Sequence, residues 1–341
     1  MKTTWVLLIL FFGFEAASEY QPLGEFRFYE FSLAPEYKTK EPGESGFELK
    51  ESYLKTQWVL STEIHGQIAF GTGDLIKPAV WYSPATKSID LTEAFVYAKT
   101  DTMDFTVGLF RIPVGYEGFF PESSRVFPST QARSDGFVIK RDLGFQAQVN
   151  YQNYQTTLGV HNGESGLSSD GKTWITGSWS YAPAEGMGFI LTGQVGKISS
   201  ASTAGSVANS NFQFNFDPLV ITKIRQGTLS LFKHWGRNHW VIEATRGDIL
   251  QGDTKSPFAF GFGETALLIS KDTFFLLRYE QTQSQLNLSE TIKKYSSIGF
   301  SLSSKNNLAS LTFYATKINE EPEVQNDEFK LLFRLGSGFE D

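Results

Sequence analysis

A chain of 341 residues with 31 Phe, 31 Gly and only 12 Pro is long enough for one large β-domain or two ordinary ones. The absence of cysteine excludes a disulfide framework and any Cys-based zinc or thiol site, though a large fold in an oxidising compartment needs neither. A formal net charge of −7 argues against a nucleic-acid role driven by net charge.

The chain opens with Lys2, an apolar run from Trp5 to Phe14, and then Glu15-Ala16-Ala17-Ser18. Small residues at Ala16 and Ser18 fit a signal-peptidase cut, so residues 1–18 are expected to be a cleaved signal peptide and 19–341 the mature domain. A buried N-terminal strand or helix is the alternative. The run is too short to cross a bilayer as a helix, which takes about 20 residues. No later stretch is longer and as apolar. A membrane location for the mature chain therefore requires a barrel.

Beyond residue 20 the dominant signal is two-residue alternation. Ile64, Gly66, Ile68 and Phe70 alternate with His65 and Gln67. Leu143, Phe145, Ala147 and Val149 alternate with Gln146, Gln148 and Asn150. The same pattern sets Ala309, Leu311, Phe313 and Ala315 against Ser310, Thr312 and Tyr314, and Phe329, Leu331, Phe333 and Leu335 against Lys330 and Arg334. Strands are predicted near 24–33, 46–59, 64–72, 88–99, 103–112, 142–150, 154–161, 172–181, 187–197, 226–235, 237–246, 258–269, 272–281, 294–303, 307–316 and 327–335.

A soluble sandwich would alternate in the same way. Three features favour a transmembrane antiparallel β-barrel of about 16 strands. The segments are about 9–12 residues long, the length of a tilted membrane-crossing strand. Aromatics gather at segment ends, as at Tyr151 and Tyr154, Trp179 and Tyr181, and Trp235 and Trp240. Connections alternate long and short, the long ones near 34–45, 73–87, 113–141, 162–171, 198–225, 247–257, 282–293 and 317–326. Long loops outside and short turns in the periplasm are a barrel's habit, and both termini then fall in the periplasm. Runs at Asn211–Phe216 and Val220–Thr222 would make eighteen strands if both were counted; the whole stretch is assigned to one external loop.

The longest ordered-looking connection, Pro113 to Lys140, carries Phe119, Phe120, Phe127 and Phe137 beside Arg125, Arg133 and Lys140, with Arg111 and Arg141 at its edges. Aromatic content of that kind does not suit a disordered segment. The segment reads as an ordered loop that presents cations.

The runs Leu91-Thr92-Glu93-Ala94-Phe95-Val96, Val107 to Gly115, Arg141-Asp142-Leu143-Gly144-Phe145-Gln146 and His161-Asn162-Gly163 resemble the phosphate-selective porin O/P family, in the family's order and at its spacing. The resemblance spans roughly 88–163. It implies a sixteen-stranded outer-membrane barrel in the bacterial cell envelope, a homotrimer, a third loop folded into the lumen, and basic side chains that draw anions through it. Within the matching region those side chains are Arg111, Arg125, Arg133, Lys140 and Arg141. Glu117, Glu122 and Asp135 in the same loop depart from that pattern, and so does the terminal Phe339-Glu340-Asp341, since such barrels finish on an aromatic.

A pore needs a constriction and charge placed there, and no catalytic group. Arginine suits phosphate because its planar fork binds two oxygens. Arg278, Lys330 and Arg334 alternate with apolar residues and should join the loop cations inside the lumen. The plainer reading is that each of these side chains pairs with a nearby carboxylate and holds the fold. Arg111 shares parity with Val107 and Leu109 and is expected to face lipid unless a bulge intervenes. Arg141 beside Asp142 reads equally as a salt-bridged strand start. His234 and His239 flank a turn, but two histidines alone make a poor metal site. His161 near Ser165 lacks a nucleophile-elbow sequence. Gly71-Thr72-Gly73 and Gly261-Phe262-Gly263 do not open helices and are not phosphate loops. The expectation is a porin for small solutes, anions and phosphate among them, with no enzymatic activity, no cofactor, outer-membrane lipid around it and no nucleic-acid partner. The alternative is a non-conducting barrel with a structural or adhesive role.

Overall fold

The computed structural model describes residues 25–40, 44–49, 51–72, 75, 89–120, 122, 125, 127–134, 137–163, 171–183, 186–198, 220–286, 289–303, 309–321 and 327–338. The proposed signal peptide lies outside them. Sixteen antiparallel strands close into one barrel. β1 is Glu25–Leu33 continued by Pro35–Lys40, and β2 is Glu44–Leu49 continued by Tyr53–Val59. β3 Ile64–Thr72, β4 Ile89–Lys99, β5 Asp104–Arg111, β6 Arg141–Tyr151, β7 Tyr154–His161, β8 Trp174–Tyr181 and β9 Met187–Ile198 follow. The far wall is β10 Thr222–Trp235, β11 Asn238–Gln251, β12 Thr254–Ser270, β13 Thr273–Leu286, β14 Ser289–Ser303, β15 Ala309–Glu321 and β16 Glu328–Gly338. Every strand pairs with the next, and β16 returns to β1 through Leu33 opposite Leu335 and Thr39 opposite Phe329. Closure removes the free edge, the condition for a sheet in lipid.

The alternation seen in the sequence sorts the side chains as a membrane barrel requires. Phe145, Phe313 and Phe333 point outward and are 43%, 38% and 40% exposed. A sandwich would have gathered them into a dry interior. On β10 the inward set is Thr222, Ile224, Gln226, Thr228, Ser230 and Phe232, all buried, and the outward set includes Leu229 and Leu231. Tyr151, Tyr154, Trp179 and Trp235 are exposed beside the short turns, and Tyr154 stacks on Trp179 with centroids 6.0 Å apart. Such rings suit the membrane–water boundary.

Several expected long connections are strand instead. β1 and β2 run through most of 34–45, β11 and β12 meet across a turn at Gly252 and Asp253, and β13 and β14 run through most of 282–293. Gly252 at φ +58 supplies the left-handed backbone that such a turn needs. The sequence reading sought an apolar outward face and took its loss for a loop. Above the apolar belt the outward face is simply polar, as at Arg246, Asp248 and Lys255 on β11 and β12. The run at Val220–Thr222 leads directly into β10, while Asn211–Phe216 lies outside the described residues.

Candidate pore constriction

The segment between β5 and β6 leaves the wall at Arg111 and returns at Arg141, and the Ile112 N–H donates to the Lys140 carbonyl at 3.1 Å, closing its neck. Within it are two short helical turns, α1 Gly115–Phe119 and α2 Gln131–Ser134. The first-turn N–H of Tyr116 donates to Glu243 Oε2 at 2.6 Å and to Ser230 Oγ at 3.0 Å, both on the opposite wall. A buried N–H needs such a partner. Gly115 has φ +64, and a Cβ there would lie 2.4 Å from Glu243 Oε2, so only glycine fits this approach. Farther along, the Ser129 N–H donates to Glu51 Oε1 on the β2 side at 2.9 Å, and the Gln131 N–H donates to Glu280 Oε2 on β13 at 2.6 Å. The segment therefore packs against inward-facing residues of both walls and crosses the bore.

Apolar packing completes that crossing. Ile112, Val114, Ala132, Phe137, Val138 and Ile139 of the loop form one buried cluster with Trp174, Ile198, Ile224, Ile249, Phe258 and Phe260 of β8 to β12. Tyr116 packs with Ile190, Phe232, Val241 and Phe262, and Phe127 packs with Ala266, Phe274 and Leu276.

The structure brings the basic residues named from sequence into the interior, most of them onto carboxylates. Glu122 receives both Arg111 and Arg141, the latter from Nη1 to Oε1 at 3.2 Å. Arg141 Nε also donates to Glu93 Oε1 at 3.0 Å and its Nη1 to the Leu75 carbonyl at 2.9 Å. Arg125 pairs with Glu117 and lies 3.6 Å from Glu51 Oε1. Arg334 Nη2 donates to Glu51 Oε2 at 3.2 Å, and its Nη1 reaches the Arg125 carbonyl. Arg278 pairs with Glu264 and Glu280 and stacks over Phe127 at 4.4 Å. Lys330 pairs with Glu328 at 2.9 Å. Lys140 is buried at the neck. Burial would raise the Glu122 carboxyl, but the guanidiniums of Arg111 and Arg141 hold it well below the usual range.

Arg133 stands apart. It is 2% exposed, and among the described residues its Nε and Nη2 have no hydrogen-bond partner. Burial pushes its pKa down to about 10, against the weaker pull of Glu117.

Arg111 corrects the sequence reading. Strict parity through Val107 points it at lipid, yet its guanidinium reaches Glu122 of the loop. Strand pairing runs unbroken through Gly108 (φ +128) to Arg111, but Leu109, on the parity of Val107, is already buried, so that face is covered at the end of β5. Arg141 does not pair with its neighbour Asp142. That carboxylate instead takes His161 Nδ1 at 2.6 Å, and His161 Nε2 lies 2.8 Å from Thr176 Oγ1. This is a buried cross-strand ladder of the wall, and Ser165 is outside the described residues. His234 and His239 face each other across β10 and β11 with rings 5.8 Å apart, and no group of three or more His, Cys, Asp or Glu side chains among the described residues is arranged to hold a metal.

Sequence reasoning missed the wall carboxylates Glu51, Glu93, Glu243, Glu264 and Glu280. Their signal was parity: Glu264 falls between Phe262 and Ala266 on the buried face of β12. Glu51 carried no such signal, because it sits at φ +45 in the break within β2.

No family profile matches the sequence, and no curated protein matches it. Solved structures do. A loop-deletion mutant of OmpT, an outer membrane protein of Vibrio cholerae, superposes with TM-score 0.68 at 9% identity over 92% of this chain and 100% of that one. The fold is that of the outer-membrane porins. An anion-selective porin from Comamonas acidovorans matches at TM-score 0.62 and 10% identity, over 92% of this chain and 100% of that one. The outer membrane channel DcaP of Acinetobacter baumannii matches at TM-score 0.60 and 12% identity, over 93% and 99%.

Proposed function

We propose that this chain is a porin of the bacterial outer membrane that passes small hydrophilic solutes by diffusion around a loop pinned across its bore. The observation that carries the reading is the combination of an outward apolar belt with a crossing segment held by buried ion pairs. A wall facing lipid and an interior rich in Gln, Ser, Thr and charged groups suit an aqueous passage, not a dry core. The recorded trimer form of the Vibrio cholerae barrel supports a homotrimer here.

Anion preference, with phosphate as one solute, is the finer part of the proposal. Six of the named basic residues have carboxylate partners (Arg111, Arg125, Arg141, Arg278, Lys330 and Arg334), so their charge is largely neutralised locally. The preference then rests on Arg133. Single-channel conductance and reversal potentials in a KCl gradient test this. A chloride-to-potassium permeability ratio above one supports it, and a ratio at or below one removes the anion reading while leaving the porin.

A second reading, a non-conducting barrel, is favoured by the apolar loop packing across the interior. It predicts no conductance from correctly folded protein.

A further inference from the structure

The outer wall changes character near the end that bears the long connections. Going up β10, Leu231, Leu229 and Gly227 give way to Arg225 and Lys223; on β11, Ile242 and Ala244 give way to Arg246. Register sets Lys197 of β9 opposite Lys223 and Arg225 opposite Asp248, so these side chains share one outward patch. Asp248 is the only carboxylate facing outward on β9 to β12 among the described residues, and it already holds Arg225 at 2.8 Å and Lys255 at 3.2 Å. Lys197, Lys223 and Arg246 form no ion pair among the described residues and are exposed. On a chain of net charge −7 this is a local excess of positive charge.

Directly below lies an outward groove of about 590 Å³, floored by Gly227, Ala244, Ala259 and Gly261, flanked by Leu191 and Leu229, with Arg246 at its upper edge. The space over Gly227 is open: a Cβ there would meet nothing nearer than 3.9 Å. A second groove of about 650 Å³ runs beside it, again with glycine, Gly263, on its floor and a cation, Lys317, at its upper edge.

We propose that this face binds a phosphorylated, acylated lipid of the outer leaflet. Its phosphate lies on Lys223, Arg225 and Arg246, and its acyl chain lies in the groove below. The charge complements phosphate, and guanidinium forks bind phosphate oxygens in pairs. The groove takes a chain where a flat wall would only be skirted by one, and an interfacial cation with an apolar slot beneath it matches an anionic lipid end to end. This inference concerns the outer wall and does not rest on conduction.

The test uses the full barrel in detergent, with diphosphoryl lipid A as probe, read by native mass spectrometry and by titration. Diphosphoryl lipid A should remain bound, its dephosphorylated form should bind more weakly, and inorganic phosphate alone should not compete. Reversing two cations in Lys223→Glu with Arg246→Glu should weaken binding by at least roughly 25-fold, about fivefold for each interfacial cation. Filling the slot with Gly227→Leu should weaken binding but preserve its salt dependence. Equal binding of the dephosphorylated lipid, full competition by inorganic phosphate, or unchanged affinity in the double variant overturns the proposal. Should the double variant fail to fold, salt decides: binding by the natural chain must fall between about 50 and 500 mM salt, and insensitivity overturns the idea.

Discussion

Glu122→Gln is the sharpest perturbation of the crossing loop. The carboxylate is 1% exposed and receives two guanidiniums, Arg111 from β5 and Arg141 from β6. Glutamine keeps the size and one acceptor oxygen but leaves two buried cations facing each other, with Glu93 the remaining carboxylate partner of Arg141. Breaking a buried pair by removing one partner costs about 3–5 kcal/mol. The barrel has a cheaper response than unfolding, because the loop can lift while the ladder between strands stays intact. A shift of 3–5 kcal/mol moves the loop's docked-to-undocked ratio by roughly two to three and a half orders of magnitude. The assay is single-channel recording beside limited proteolysis within 113–140. The expected result is larger or flickering conductance, faster loop cleavage, and unchanged heat resistance of the folded barrel. Adding Arg111→Gln should recover part of the loss, because it removes one of the stranded charges. If conductance and cleavage are both unchanged in Glu122→Gln, the ion pairs do not hold the loop.

Four further outcomes follow from the same geometry. Arg133→Gln should lower the chloride-to-potassium permeability ratio, measured from reversal potentials, without loosening the loop, since its Nε and Nη2 have no partner among the described residues. Gly115→Ala should displace α1 from Glu243, because the new Cβ falls 2.4 Å from Oε2 at φ +64; the loss of about 1–3 kcal/mol appears as faster loop cleavage. Acid should release the loop late. Glu122 has a folded-state pKa well below 4.5, so its contribution is complete above that value and declines as pH falls beneath it. Loosening of the Glu122 ion pairs, read as faster cleavage next to Glu122, should therefore appear only below about pH 4.5. Phe313→Arg places a cation on the lipid face and should cost about 2–4 kcal/mol if mid-bilayer, read as folding yield into vesicles.

Strand number and the outward set were legible because a period of two survives any uncertainty at segment ends. Phe145, Phe313 and Phe333 fall where alternation puts them. Strand ends were less legible, and for one reason. Alternation of apolar against polar stops at the edge of the belt, while backbone pairing does not, so β11 and β12 continue past Arg246 and Lys255. Arg111 was misread because its face of β5 is already covered at Leu109, and alternation alone does not report where the lipid-facing belt ends. The cations of the interior could be named from sequence, but their partners could not. Glu122 lies close in sequence to Arg111 and Arg141, whereas Glu51, Glu280 and Arg334 meet the loop only because the barrel closes on itself.

That closure bears directly on selectivity. A loop that carries cations into a bore could leave them bare, and the bore would then attract anions strongly. Here the walls answer with carboxylates from β2, β4, β12 and β13, so docking and neutralisation are the same event. Leaving the whole set of buried guanidiniums bare would be too costly to keep folded, and paired ones have little field left for a passing ion. The pairing explains how the loop stays put in water-accessible surroundings. It also confines any anion preference to a charge left over after pairing, which returns the question to Arg133.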